Sequence, residues 1–381
     1  MTIRANWNYP NAVRFGAGRI KELADACKAT GIARPLFVTD PGLVDLPMTQ
    51  AAIADLKEAG LAVTVFSEVK GNPVESNVYA GIDRLRLGKC DGVVCFGGGS
   101  ALDVGKVIAF MAGQTRPMWD FEDIGDWWTR ADPAGIAPNI CVSTTAGTGS
   151  EVGRAGVITH EATHTKKVIF HPKMMPSVTI LDPELTVGLP AKITAWTGMD
   201  ALAHCIEAYC APGFHPMADG IALEGMRLVK DNLARAVTTP DDLDARGAML
   251  TAASMGATAF QKGLGGIHAL SHPVGALYDT HHGLTNAVFM PYVLNFNRPA
   301  VEERLARAAA YLGLDRSFDA FVAWILALRE QIGIPHTLAG LGVDDSRLDE
   351  IAAMAVVDPT AGGNPVPLDE AAAKAIFRSA L

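Results

Sequence analysis

Residues 91–110 read DGVVCFGGGSALDVGKVIAF, and the junction inside this stretch sets the fold class. GVVCF is a short apolar run with β-branched residues, bounded by turn formers, as expected of a buried strand. ALDVGKVIAF, after three consecutive glycines, carries apolar residues at helical spacing. A strand that runs through glycines straight into a helix is the βα unit of a parallel sheet. Glycine lets the backbone approach a ligand closely and take φ values that other residues resist. Ser100 is placed to cap the new helix, whose free N–H groups and positive dipole end favour an anion. The motif GGGSALD (97–103) is neither GxGxxG nor a Walker loop. By itself it reads either as a phosphate cradle or as a tight turn with no ligand.

The same alternation recurs on both sides. PLFVTD (35–40), AVTVFS (62–67), NICVSTTAGTGS (139–150) and SVTILDP (177–183) read as further strands, and MTQAAIADLKEAG (48–60) and ALDVGKVIAFMAG (101–113) as helices. Near-continuous apolar strands imply a parallel sheet covered on both faces. After LTVGLPAKITA (185–195) the texture changes to alanine, leucine and methionine at helical spacing, as in 220–237, 245–260 and 318–333. The expected fold is an α/β N-terminal domain with a parallel, dinucleotide-binding sheet over 1–185, plus an all-α C-terminal domain over 186–381.

Bulk properties narrow the partners. The chain has 381 residues, 49% hydrophobic and 19% charged, a length that suits two cores better than one. Its formal net charge of −9 argues against nucleic acid or an anionic membrane surface as a partner. No apolar run reaches the ~20 residues of a membrane span. MTIRANWNYPNAVRFGAG (1–18) lacks the layout of a secretion signal. The six cysteines form no CxxC pair, which points to reduced thiols and a cytoplasmic protein.

STTAGTGSE (143–151) is a second Gly/Thr-rich turn after a strand, and it offers the hydroxyls of Thr144, Thr145 and Thr148. Two such loops at strand C-terminal ends suggest a dinucleotide. Asp40 ends PLFVTD, where its carboxylate can accept from the adenine ribose hydroxyls. Its charge opposes a 2′-phosphate and so favours NAD over NADP. Asp40 suits an ordinary turn with Pro41 and Gly42 equally well.

A second chemistry lies in the helical half. TGMDALAHCIEAYC (197–210) places Asp200 and His204 one helical turn apart, with Glu207 three residues on. GGIHALSHPVGALYDTHHG (265–283) holds four of the ten histidines. His268 and His272 repeat the i, i+4 spacing before Pro273, which limits the helix, and His281 and His282 follow the turn back. One carboxylate with several imidazoles and no thiolate suits Zn²⁺, Fe²⁺ or Mn²⁺ without choosing among them.

Taken in order, GGGSALD, STTAGTGSEV, ILDPELTVGLP, TGMDALAHCIEAY and HALSHPVGALYDTHHGLTNA resemble the iron-containing (group III) alcohol dehydrogenases. The match runs from FGAGRIKEL (15–23) to GGNP (362–365). The resemblance implies a metal site of Asp200, His204, His268 and His282, loaded with Fe²⁺ or Zn²⁺. It places Asp40, Asn72, Gly98, Gly99, Ser100, Thr144 and Thr145 on cofactor-binding positions. Lys166 falls at the lysine bordering the nicotinamide, with Lys167 as the alternative register. His272 matches a histidine near the nicotinamide, a candidate proton carrier, and His281 falls on a non-ligand position. The implied activity is hydride transfer between a nicotinamide and a short alcohol, aldehyde or hydroxyacid, by a homodimer.

Three features stand apart from the family pattern or outside its motifs. Where many relatives have threonine after SEV, this chain has Gly153 and Arg154. Arg154 is therefore a candidate partner for an anionic substrate group, with a surface salt bridge as the alternative. MWDFEDIGDWW (118–128) is a lid, a pocket wall or a subunit contact. Thr360 replaces a cysteine found in some relatives. A maleylacetate reductase is the nearest competing function. A dehydroquinate-synthase-like lyase lacks its basic residues here, and a metal-dependent hydrolase does not account for the two cofactor loops.

Overall fold

A seven-stranded sheet organises the first half of the molecule. The computed structural model describes residues 5–7, 11–163 and 165–381, so positions 1–4 and 8–10 of the N-terminal stretch read for a secretion signal lie outside the described residues. Two compact units result: Met1–Thr145 with Ser150–Gly188, and Ala146–Gly149 with Leu189–Leu381.

In the first unit the strands are β1 (Ala5–Trp7), β2 (Ala12–Phe15), β3 (Pro35–Val38), β4 (Thr64–Phe66), β5 (Gly92–Gly97), β6 (Asn139–Ser143), β7 (Ala155–His160), β8 (Thr165–Phe170) and β9 (Val178–Leu181). Its helices are α1 (Leu23–Ala29), α2 (Pro47–Glu58), α3 (Glu75–Leu87) and α4 (Gly99–Met111). The sheet order is β1-β2-β9-β6-β5-β3-β4, antiparallel between β1 and β2 and parallel elsewhere. β3, β5, β6 and β9 are buried along their whole length, which explains their unbroken apolar runs. Alternation at period two then divides them between two cores. Leu36, Val38, Val93, Cys95 and Cys141 pack with α3 and α4, whereas Phe37, Val94, Phe96, Ile140 and Val142 pack with α1 and α2.

Register fixes where a ligand can sit. Val38 pairs with Cys95, and Gly97 pairs with Ser143. The C-terminal ends of β3, β5 and β6 therefore finish together. From β3 the chain crosses to β4 on one side, and from β5 it crosses to β6 on the other. Such a reversal point is where open α/β sheets bind ligands.

The β7–β8 hairpin is an element that the sequence reading lacks. It is antiparallel, pairs Ala155 with Phe170, and is fastened to α4 by side chains. Asp103 accepts from the Ser150 hydroxyl at 2.5 Å and from the Val157 N–H at 3.0 Å. The buried Lys106 ammonium donates to the carbonyls of Ser150 (2.9 Å) and Ala155. The tryptophan-rich stretch 118–128 largely packs within this unit. Phe121 stands edge-on to Phe110 at 5.0 Å, Trp119 edge-on to His160 at 5.1 Å, and Trp128 edge-on to His171 at 5.7 Å.

The second unit contains α5 (Ala191–Cys210), α6 (Pro216–Thr238), α7 (Leu243–Ala259), α8 (Gly266–Tyr278), α9 (His282–Tyr311), α10 (Phe318–Gln331), α11 (Leu348–Val356) and α12 (Glu370–Ala380). Among the described residues no strand follows β9. α5 is buried on almost every side, as expected of a central helix. Close approach to it is made by small residues. A β-carbon at Gly256 of α7 would stand 2.9 Å from the His204 Cβ, and one at Gly283 of α9 only 2.3 Å from the Trp196 carbonyl oxygen. Pro273 does not end α8, contrary to the sequence reading: the helix continues to Tyr278, where Asp279 closes it in the left-handed conformation (φ 53°). The buried side chains of Leu270 and Val274 anchor the turns on either side of the proline. Among the described residues no helix is long and apolar enough to cross a membrane.

Candidate functional site

The predicted cofactor residues all belong to the first unit. Gly97 has φ 149°, and a β-carbon there would stand 2.8 Å from the Ala101 Cβ, so the turn into α4 requires glycine. Gly98 is the N-cap of α4 and lies against Thr145, while the Thr144 N–H donates to the Gly97 carbonyl at 3.0 Å. The two Gly-rich loops are thus adjacent. Ser100 does not cap α4, contrary to the sequence reading. It sits inside the first turn, and its hydroxyl donates to the Gly71 carbonyl at 2.5 Å. That bond ties the loop carrying Asn72 to the start of α4.

Asp40 uses its oxygens differently. Oδ1 accepts from the N–H groups of Gly42 (2.9 Å) and Leu43 (3.1 Å), the turn role. Oδ2 faces the glycine loop, 3.6 Å from where a Gly97 β-carbon would be. Burial pushes the Asp40 carboxyl up, and these two N–H groups only partly oppose it. Lys166 and Lys167 alternate on β8 opposite Thr159 and Ile158. Lys167 is engaged by Glu122 at 2.7 Å. Arg154 is exposed, its guanidinium 5.5 Å from the Phe170 ring centre. Among the described residues it has no ion pair, so the salt-bridge alternative finds no partner.

The predicted metal residues all belong to the second unit. Asp200 and His204 project from one side of α5, His268 from α8 and His282 from the start of α9. Asp200 Oδ1 lies 3.8 Å from His204 Nε2, 3.7 Å from His268 Nε2 and 3.5 Å from His282 Nε2. Asp200, His204 and His268 offer donor atoms within 4.8 Å of one another. His282 reaches the same oxygen but lies outside that mutual set. Its side chain is 24% exposed against 6% or less for the other three, so the cluster opens on its side.

His272 and several residues that the sequence reading left without a role, Glu207, Asn286 and Asp358, surround this cluster. Glu207 Oε2 bonds His268 Nδ1 at 2.5 Å. The Asn286 amide nitrogen donates to Asp200 Oδ1 at 2.8 Å and lies 3.1–3.2 Å from the Nε2 atoms of His282 and His268. Its amide oxygen accepts from Ser271. His272 stacks on His282 at 5.2 Å, and its Nδ1 bonds Asp358 Oδ2 at 2.8 Å. Asp358 also accepts from the Thr360 N–H and hydroxyl, so Thr360 supports this carboxylate. Burial pushes the Asp358 carboxyl up, but His272 and Thr360 outweigh it and hold it below the usual range. His281 instead packs its ring 4.9 Å from that of Trp196. The i, i+4 spacing from His282 was a signal for Asn286; Asp358 had no local one.

The cluster fits a divalent cation. Separations of 3.5–3.8 Å exceed the ~2.7–2.9 Å of charge-assisted hydrogen bonds. They lie close to the edge of about 3.4 Å between donors sharing one ion at roughly 2.0–2.2 Å. Burial drives His204 down to about 4, helped by the neighbouring His268, so its imidazole is neutral and ready to ligate. His268 resists burial because Glu207 and Asp200 hold it up at about 9. Burial opposes ionisation of Asp200, yet the three histidines keep its carboxyl well below the usual range.

Residues 10–183 match the family model of the iron-containing alcohol dehydrogenases, and residues 194–381 match the C-terminal model of the same family. The chain belongs to the iron-containing alcohol dehydrogenase family. Among members, it is 41% identical over 368 residues to a 4-hydroxybutyrate dehydrogenase of Cupriavidus necator, covering 94% of each chain. A solved 1,3-propanediol oxidoreductase superposes with a TM-score of 0.92 at 37% identity, covering 100% of both chains. The sulfoacetaldehyde reductase of Bifidobacterium kashiwanohense, solved with NAD⁺, superposes with a TM-score of 0.88 at 31% identity, covering 100% of this chain and 98% of that one. The protein is accordingly an alcohol dehydrogenase in the broad sense of this family.

Proposed function

We propose that this dehydrogenase interconverts short alcohols or hydroxyacids and their aldehydes, using NAD and one divalent cation, Fe²⁺ or Zn²⁺. The observation that carries this reading is the convergence of three imidazole nitrogens on one buried carboxylate oxygen, at 3.5–3.8 Å. Asp200, His204, His268 and His282 would hold the cation. When bound, the cation supplies Lewis acidity to an alcohol oxygen and NAD supplies the hydride acceptor. In this reading residues 1–185 would form the NAD-binding domain and residues 186–381 the metal-binding domain. Asp40 Oδ2 would hold the ribose hydroxyls and the start of α4 at Gly98, Gly99 and Ser100 would hold the pyrophosphate, with Thr144, Thr145, Asn72 and Lys166 as further cofactor-binding residues. His272 takes the alcohol proton on Nε2, because Asp358 holds Nδ1, and passes it to solvent. The complete ligand set favours this reading over maleylacetate reduction.

Arg154 selects anionic substrates. The support is an exposed guanidinium without an ion pair among the described residues. Two of the relatives above carry names of anionic molecules, 4-hydroxybutyrate and sulfoacetaldehyde. The test compares kcat/KM of Arg154→Ala on 4-hydroxybutyrate and 1-butanol. Loss of a charged hydrogen bond, about 1.5–3 kcal/mol, predicts a loss of roughly 10–100-fold confined to the hydroxyacid. Equal losses on both substrates would remove Arg154 from the site.

A further inference from the structure

α8 begins without a cap of its own. Its N-cap is Gly265, which has no side chain, yet the first turn carries the ligand His268. The free N–H groups are instead met by residues distant in sequence. The Gly266 N–H donates to Asn364 Oδ1 at 3.0 Å, and the Ile267 N–H donates to Glu207 Oε1 at 2.6 Å. Glu207 is buried, and its other oxygen holds His268 Nδ1 at 2.5 Å. Asn364 is fixed in turn by reciprocal bonds with Asn297, both 2.8 Å. Gly265 suits this arrangement, because a β-carbon there would stand 2.9 Å from Asn364 Oδ1 and 3.2 Å from Glu207 Oε1.

We infer that Glu207 is a positioning residue that sets the orientation and tautomer of His268 while capping the helix that carries it. The inference rests on the metal reading above. With Glu207 accepting the proton on Nδ1, Nε2 is the nitrogen that faces Asp200 and the one left to give up its proton to a metal, as a ligand requires. Both oxygens of Glu207 act as acceptors, so a carboxylate is needed: glutamine supplies one acceptor for two donors. If the glutamine oxygen keeps the Ile267 N–H, its NH₂ faces Nδ1 and drives the imidazole proton to Nε2, the wrong nitrogen. Asn364 gives a control, since it caps the same turn without touching His268.

The test uses full-length protein stripped of metal and titrated with Zn²⁺ against a competing chelator, with thermal unfolding of each variant. Glu207→Gln is expected to weaken Zn²⁺ binding by about 10–100-fold. Asn364→Ala is expected to lower Tm while holding affinity within about threefold of wild type. Two results overturn the inference: Glu207→Gln binding within that margin, or Asn364→Ala losing as much affinity as Glu207→Gln. Asp200→Ala and His204→Ala separate this from the metal reading. If both bind Zn²⁺ like wild type, the site itself is wrong and the inference falls with it. If both abolish binding while Glu207→Gln does not weaken it, only the inference fails.

Discussion

Gly283→Ala sets two effects of opposite sign against each other. The residue follows His282, a proposed metal ligand, in the first turn of α9. Replacing glycine by alanine in a helix ordinarily stabilises by about 0.5–1 kcal/mol, because the unfolded chain loses freedom. Here the new methyl would stand 2.3 Å from the Trp196 carbonyl oxygen and 3.0 Å from the Asp200 Cβ. The clash is with the backbone of α5, which has no rotamer to relieve it, so the two helices must part by about 1 Å. Overpacking of this kind costs about 1–3 kcal/mol. Sterics therefore win, with a net destabilisation of roughly 1–2 kcal/mol and a Tm lower by about 2–8 °C. Moving His282 from Asp200 should also weaken metal binding by about tenfold. Gly220→Ala is the matched control. A β-carbon at this exposed position on α6 would meet no atom within 4 Å, and the propensity gain of about 0.5–1 kcal/mol should appear undiminished. The assay is thermal unfolding of metal-stripped protein by circular dichroism, followed by chelator competition. A Gly283→Ala protein as stable as wild type with unchanged metal affinity would show that the α5–α9 contact is not sterically limiting.

Two other perturbations probe the helical unit. Asn286→Ala strips donors and acceptors from Asp200 and Ser271 in a buried setting; unfolding in urea should show a loss of about 1–3 kcal/mol, and metal titration a weaker site. Burial pushes Asp219 up, but hydrogen bonds from Arg304 and Lys262 outweigh it and lower its pKa. A depressed carboxylate contributes stability above its unfolded pKa, lost as pH falls through the folded one. Asp219→Asn should thus cost about 1.5–3 kcal/mol at pH 7, with the gap to wild type closing below about pH 4. A gap that stays constant down to acid pH would contradict the ion-pair account.

How far the sequence speaks depends on how local each constraint is. β3, β5, β6 and β9 are buried on both faces, so their apolar runs announce them. The β7–β8 hairpin does not announce itself. Its strands are only half-buried, β8 carries Lys166 and Lys167, and its anchors Asp103 and Lys106 lie some fifty residues earlier. In the helical unit, the pairs Asp200/His204 and His268/His272 are legible because both members share a helix. The partners that orient them are not. Glu207 meets His268 across 61 residues, and Asp358 meets His272 across 86. Pro273 misleads for the same reason: a local breaker is overridden by packing of its neighbours, which sequence spacing does not display.

The proposed function requires one metal ion per chain, held by Asp200, His204, His268 and His282. The direct measurement strips the protein with chelator and refills it anaerobically with Fe²⁺ or Zn²⁺. Metal content and NADH formation from an alcohol and hydroxyacid panel are then followed together. No turnover is expected after stripping, with one equivalent bound on refilling and activity that rises in step with occupancy. Stripped protein that oxidises these substrates at the full rate would contradict this requirement.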